Sequence, residues 1–436
     1  MDDKEIWQRV TERIEELRPQ MTDVLCRMIR IPSVNLTIAG DESEKYRGKE
    51  GEVNEYLESL MKTMGLETDM WAEERGRTNL VGHFSGGGAG RSLMFNGHVD
   101  VVHPGDAALW TVCGPFDGIV KDGRIYGRGA SDMKGGIAAS LFALKAVLSA
   151  GFIPAGDVFL EYVVGEEMME HMLGTTSAVN RGYRADGAVV CEPTAPPHRL
   201  AVEPACCNVG YLVISVPGKA THACMRGAMT RAGGPGEALG VSAIDKAMLI
   251  YEGLRRLDER WGWTKKHELY ENGHFNIHPG VINSGNCGAF AVSDECRIEC
   301  SVWAPPQEKE ADIKAEVEQM VEAVCNTDPW LKEHRPQMFW PAFWPSYNMP
   351  VTHPLCAAAS EATEKVLGEK AFIHGFVGSD DASFLTIGGT PALTLGPGSL
   401  MAAHAPDEYT EIEDLMDSTK IYASLIMRWC GGICVC

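Results

Sequence analysis

No apolar run in this chain of 436 residues is long enough to cross a bilayer, so no helical membrane span is expected. The first residues, Met1-Asp2-Asp3-Lys4-Glu5, are charged and lack the apolar core of a signal peptide. There is no long lysine or arginine run. The 39 basic residues are outnumbered by 60 acidic ones, for a formal net charge of −21. That balance argues against nucleic acid and anionic membranes as partners. The 14 cysteines form no CxxC pair and no zinc-finger spacing. Reduced thiols in the cytoplasm are the expectation. Cys430, Cys434 and Cys436 read as a packed or exposed tail. No internal repeat and no low-complexity segment stands out.

What the chain does have is a 45% hydrophobic composition and a length that exceeds one ordinary core, so two domains are expected. Ile6, Val10, Ile14 and Leu17 recur at helical spacing, followed by Leu25, Met28 and Ile29. This predicts two helical stretches divided near Pro19. Residues 36–50 read as a polar loop, and residues 53–64 as a helix. From Thr78 short apolar strands alternate with glycine turns and a strong helix over 136–150, which argues for a mainly parallel sheet. After Gly210 strands at 211–216 and 296–302 and helices at 237–257 and 309–325 form a self-contained α+β unit. Past Asp328 the α/β pattern resumes, with a helix over 354–367, a turn into a helix over 378–385 and a buried strand over 391–397. The expected fold is therefore α/β: a catalytic domain made of residues 1–208 and 328–436, with an α+β domain inserted at 209–327.

Seven polar residues stand where apolar runs stop: His98, Asp100, Asp132, Glu166, Glu167, Glu192 and His404. Open α/β sheets gather ligands at the carboxyl ends of their strands. Two imidazoles and several carboxylates suit zinc or a similar divalent ion. Two ions sharing a carboxylate polarise a carbonyl and lower the pKa of a bound water. Amide hydrolysis then needs a carboxylate base, and Glu166 and Glu167 offer a ligand and a base in consecutive positions. Asp100 lies two residues from His98 and in extended chain points the same way. It is placed to accept the other ring N–H of a ligating histidine. Each residue also has a plainer role open to it. Asp132 can be a helix N-cap, a Glu-Glu pair can be surface charge, and His98 can be a satisfied core histidine. His103, His171, His198 and His353 are assigned structural or surface roles.

The runs Asn96-Gly97-His98-Val99-Asp100, Gly127-Arg128-Gly129-Ala130-Ser131-Asp132-Met133-Lys134-Gly135-Gly136, Gly165-Glu166-Glu167, Glu192-Pro193-Thr194 and His404-Ala405-Pro406-Asp407-Glu408 resemble one known family. It comprises the dizinc aminoacylases, acetylornithine deacetylases, succinyl-diaminopimelate desuccinylases and related carboxypeptidases. The resemblance implies that Asp132 bridges two metals, that His98 and Glu192 complete one site, and that Glu167 and His404 complete the other. It makes Glu166 the general base and acid and Asp100 the residue that orients His98. His222, in Gly218-Lys219-Ala220-Thr221-His222-Ala223, matches a small-domain histidine that reaches into the partner subunit's site and stabilises the oxyanion. The inserted domain is then a lid and dimerisation domain.

The chain also departs from this pattern. Family members carry an asparagine before a Val-Pro-Asp segment and an arginine in an Asp-x-Arg pattern after it, both of which help to hold substrate. These positions fall at Phe290 and Trp303 here. Arg226 and Arg231 follow His222 and are candidates to supply the positive charge instead.

The expected function is hydrolysis of the amide of an N-acyl amino acid or dipeptide-like compound. Its cofactor is expected to be two divalent ions, zinc first, with manganese or cobalt, or a single ion, as alternatives. The expected partners are a small-molecule substrate and a second copy of the chain, as a homodimer or higher homo-oligomer. Phe290 and Trp303 motivate a second reading, a hydrolytic deaminase acting on an aromatic amine. A third is a non-catalytic binding protein on the same scaffold, which the presence of Glu166 beside every ligand disfavours.

Overall fold

The computed structural model describes residues 3–87, 89–225, 239–285 and 288–435. They divide into two compact units, one of them Cys207–Ser346 and the other the chain on either side of it.

The larger unit is built on a six-stranded sheet in the order Glu67–Glu74, Arg77–Phe84, Val158–Val163, Leu93–His98, Ala188–Val190 and Ala392–Thr394. The last four strands are parallel, and the first two form an antiparallel hairpin at one edge. Leu93–His98, Ala188–Val190 and Ala392–Thr394 are buried at every position. Burial along the whole strand belongs to parallel strands covered on both faces. Helix Lys134–Ser149 is apolar almost all round and packs against strand Leu93–His98 and helices Asp3–Arg30 and Ile412–Cys430. Gly136 allows its approach, since a Cβ there would stand 2.0 Å from the Cys191 carbonyl oxygen.

Two local expectations fail here. Pro19 does not divide the first helix, which runs unbroken over Asp3–Arg30. Pro19 is exposed, while Ile6, Val10 and Ile14 before it and Met21, Val24, Leu25 and Met28 after it enter the same core. That shared burial outweighs the ~3 kcal/mol cost typical of an interior proline. The expected loop at 36–50 instead coils into the short turns Leu36–Ala39, Gly40–Glu42 and Ser43–Tyr46. Asn35 caps the first, its Oδ1 accepting from the Thr37 N–H at 3.0 Å. Leu36, Ala39 and Tyr46 pack with Val34 and Val101 in a small satellite core.

The second unit has its own antiparallel sheet, in the order Asn276–Asn283, Glu295–Ala304, Asn208–Pro217 and Gln337–Trp344. Helices Ala243–Thr264 and Glu310–Cys325 pack on each other, and the first also packs on the sheet. Leu212, Ile214, Val216, Ile298, Val302, Leu254 and Val317 form its core. The insertion therefore extends to Ser346 rather than 327, because Gln337–Trp344 pairs with Asn208–Pro217. That strand is hard to read from sequence. Pro341 falls at its register shift between Phe339 and Ala342, as befits an edge strand. Among the described residues no helix is long and apolar enough to cross a membrane.

Candidate metal centre

The parallel strands of the larger unit end together and deliver most of the predicted polar residues. His98 is the last residue of Leu93–His98. Glu166 and Glu167 follow Val158–Val163 through Gly165, whose φ of +88° is a left-handed turn conformation. Glu192 lies just beyond Ala188–Val190, and His404 follows Ala392–Thr394 on a longer loop. Asp132 stands just ahead of helix Lys134–Ser149, but its side chain does not cap that helix: Met133 is the N-cap, with no side-chain capping bond.

Asp132 faces two imidazoles. Its Oδ1 is 3.1 Å from His98 Nε2, and its Oδ2 is 3.2 Å from His404 Nε2. On the His98 side, Glu192 Oε1 lies 3.2 Å from the same Nε2. On the His404 side, Glu167 Oε2 lies 3.0 Å from Nε2. Glu166 stands further off, its Oε2 3.8 Å from His98 Nε2. The ligand atoms of His98, Asp132 and Glu167, and those of His98, Glu166 and Glu192, lie within 4.8 Å of one another. This donor set of imidazole nitrogens and carboxylate oxygens, buried around His98, Asp132 and Glu192 and open to solvent at His404, fits a divalent cation. Among the described residues the ion-pair partners of these four carboxylates are the two imidazoles, with no lysine or arginine joining them.

The supporting bonds orient the ligands. His98 Nδ1 donates to the backbone carbonyl of Asp100 at 2.9 Å, which turns Nε2 toward the carboxylates of Asp132 and Glu192 as the nitrogen that would bind a cation once its proton is lost. The Asp100 carboxylate, expected to take that ring proton, is 3.7 Å from Nδ1 and is engaged elsewhere. It accepts from the N–H of Gly165 at 2.9 Å, the N–H of Glu167 at 3.3 Å and the Asn35 amide at 2.9 Å. Asp100 therefore holds the turn that carries Glu166 and Glu167. The Val102 N–H donates to Glu167 Oε1 at 3.0 Å, which turns Oε2 toward His404. His404 itself has a φ of +60° and Asp407 one of +56°, a conformation that costs most side chains energy. Asp407 is held in it by Thr111 and Val112, whose N–H groups donate to its Oδ1 at 2.8 and 3.0 Å.

The electrostatics follow from burial among like charges. Burial raises the Glu166 carboxyl well above its ordinary range, against the pull of His98 and with the push of Glu192. Glu167 is raised by burial and by Asp132. Glu192 is pushed up to about 8 by burial and Asp132. Burial acts on Asp132 too, but hydrogen bonds from His404 and His98 hold it well below the usual carboxylate range. His404 is raised to about 11 by hydrogen bonds to Asp132 and Glu167. His98 is raised well above its usual value, since Glu192 and Asp132 overcome the opposing effect of burial.

The remaining predicted residues lie in the second unit or outside the described residues. His222 is exposed on the short strand Thr221–His222, which pairs with Ala291–Val292. The Cys224 N–H donates to its Nδ1 at 3.2 Å, which leaves the proton on Nε2. Phe290 is 80% exposed, and its carbonyl accepts from the Ala223 N–H at 2.8 Å, so it adjoins His222. Trp303 is not brought to them. It pairs with Val209 at one end of the sheet, whereas Glu295 pairs with Pro217 at the other. At about 3.3 Å per residue, that separation along the strand is roughly 26 Å. Arg226 and Arg231 lie outside the described residues.

A sequence model described as peptidase family M20/M25/M40 matches residues 94–428. The chain belongs to this family. It is 34% identical over 396 residues to an N-formyl-4-amino-5-aminomethyl-2-methylpyrimidine deformylase from Bacillus subtilis, covering 88% of this chain and 90% of that one. It is 28% identical over 426 residues to an acetylornithine deacetylase from Photorhabdus laumondii subsp. laumondii, covering 94% and 98%. A di-peptidase structure from Saccharomyces cerevisiae superposes with a TM-score of 0.72 at 15% identity, covering 97% and 98%, and so shares the fold. As a member of the M20 family, this chain is a metal-dependent hydrolase acting on amide C–N bonds.

The M20 site draws on residues that sequence reasoning did not single out. Arg77, Glu50, Glu170 and Asn35 form a buried network behind Asp100. Arg77 binds Glu50 and reaches Glu170 Oε2 at 2.8 Å, and Asn35 donates to Glu170 at 3.1 Å as well as to Asp100. Beneath the strands Asn96 donates to Glu161 at 2.9 Å and to Thr175 at 3.0 Å, and Thr175 donates to Asp381 at 2.7 Å. Glu408 accepts three backbone N–H groups from the loop that bears Asp132. Such backbone partners leave no trace in side-chain spacing.

Proposed function

We propose that this chain hydrolyses the amide of a small N-acylated amine, with a formyl group on an aminomethyl-substituted heteroaromatic ring as the first candidate. The arrangement that carries this reading is the Asp132 carboxylate shared between His98 and His404, with Glu192 on one side, Glu167 on the other, and Glu166 adjacent but less engaged. The deformylase relative supports the formyl group and the aromatic amine. The exposed Phe290 beside His222 supports an aromatic substrate.

The four carboxylates carry about the negative charge that two divalent ions would neutralise, so we assign two ions, zinc first, with manganese or cobalt as alternatives and partial loading as a lower limit. Asp132 would serve both ions, with His98 and Glu192 to hold one and Glu167 and His404 to hold the other. When bound, such ions polarise an amide carbonyl and lower the pKa of a water toward neutrality. Glu166 takes the water's proton and returns it to the leaving nitrogen. In the metal-free protein burial and Glu192 raise its carboxyl, the direction that favours returning a proton to the leaving group. His222 of the partner subunit donates its Nε2 proton to the oxyanion of the tetrahedral intermediate. The second unit supports dimerisation: helix Ala243–Thr264 exposes Ile244, Met248 and Leu249, and the edge strand packed against it exposes Val281 and Ile282.

The test is a panel of N-formyl, N-acetyl and N-succinyl amines, including formylated aminomethylpyrimidine, turned over by zinc- or manganese-loaded protein. Acid, free amine and ammonia are scored separately. Acid and amine in equal amounts are expected. Ammonia from an unacylated aryl amine would favour the deaminase instead, and no turnover of any amide would end the proposal.

A further inference from the structure

Glu408 is fully buried and pairs with Arg128, itself 1% exposed. The cause of its placement is a sheet contact: strand Tyr409–Glu411 pairs with Arg124–Tyr126, with Tyr409 opposite Tyr126. This sets Glu408 beside Gly127, whose N–H donates to the Glu408 carbonyl at 2.8 Å. One side-chain oxygen, Oε1, then collects the N–H groups of Gly129 at 3.0 Å, Ser131 at 2.9 Å and Asp132 at 3.2 Å. Gly129 makes the convergence possible, with a φ of +87°. Successive backbone N–H groups turned inward form a nest for an anion, and here the anion is a side chain of the same protein.

We infer that Glu408 is the positioning residue for Asp132 and couples both halves of the metal centre. Glu408 closes the loop that carries His404 and grips the loop that carries Asp132, so it sets the distance between the two residues. This rests on the reading that Asp132 serves both ions. Because one carboxylate is shared, a shift of its loop weakens both sites together.

The experiment is zinc titration of metal-free protein by calorimetry, together with the visible absorption of the cobalt-loaded form. Glu408→Gln keeps an oxygen for the N–H groups but loses the charge and the pair with Arg128. Both zinc dissociation constants should rise by at least about tenfold, the low end of what losing a ligand's supporting partner costs, and the cobalt spectrum should change. Glu411→Gln, on the same strand but in a half-exposed pair with Arg124, should leave both unchanged. If Glu408→Gln does not fold, Glu408→Asp keeps the charge on a shorter stem and should also bind zinc more weakly. A folding variant that loses thermal stability but binds zinc and cobalt as the wild type does would make Glu408 a structural residue and overturn the inference. A wild type that binds no zinc would overturn it together with the metal assignment. Since no substrate enters the assay, a mistaken substrate class leaves its result intact.

Discussion

His404 Nε2 stands 3.2 Å from Asp132 Oδ2, joining a loop near the end of the chain to one in its first third. The other oxygen of the same carboxylate faces His98. Removing it should therefore cost both ions, not one. Asp132→Ala is expected to lose metal as well as activity, read by metal analysis of the purified variant. Two ions retained per chain in the variant would refute the bridge. A wild type that loads only one would limit the centre to a single site.

Glu166 sits beyond hydrogen-bonding distance of His98, and Glu167 faces His404 directly. Glu166→Gln should keep metal content near that of the wild type and slow turnover at least about a hundredfold, the typical cost of losing a general base. Loss of metal in this variant would make Glu166 a ligand with His98 and Glu192, a grouping that the geometry also permits.

The imidazoles predict a proton count. In the metal-free protein hydrogen bonds to Asp132 and Glu167 raise His404 to about 11, so its ring is protonated at neutral pH, and Glu192 and Asp132 raise His98 in the same direction. The sign for stability follows: these pairs stabilise the metal-free fold below the ordinary histidine pKa, and His404's share is lost as pH rises toward about 11. Metal needs the neutral rings, so its affinity should rise with pH between about 6 and 8 as proton competition falls. Calorimetry of zinc binding in buffers of different ionisation heat should show more than one proton released per chain. Glu192, pushed up to about 8, adds to that number. Zinc uptake with no proton release would contradict the raised values.

His222 offers a test of the partner subunit's role. Glu166→Ala and His222→Ala subunits are each expected to be inactive. A hybrid dimer holds one site with both residues intact, so mixing should restore activity. No recovery in mixtures shown to exchange subunits would remove His222 from the neighbouring site.

The strand ends were legible because each apolar run stops at a polar residue and each run was long enough to be a strand. Helix Pro354–Leu367 matches its sequence pattern to the residue, with proline at its start and Gly368 after its end. Pro19 misled because a local rule about hydrogen bonds lost to burial along one continuous helix face. Gln337–Trp344 was missed because it is an aromatic edge strand interrupted by a proline, with no simple alternation. The sequence pattern assigns the Asp100 carboxylate to His98, but in the structure that carboxylate serves the Glu166–Glu167 turn, while its main chain serves His98. A spacing of two residues cannot distinguish those bonds. Glu408 lay inside a recognisable run, yet its partners are backbone N–H groups brought near by a sheet contact across the chain.

The account's central claim is that a water attacks an amide carbonyl at a metal-loaded Asp132 centre. Hydrolysis of an N-formyl aminomethylpyrimidine in oxygen-18 water tests it most directly, with chelated protein as the control. The account predicts formate carrying one new oxygen-18, an equal amount of free amine with its nitrogen retained, and no product until zinc or manganese is restored. Ammonia with oxygen-18 on the ring, or full activity after chelation, would contradict it.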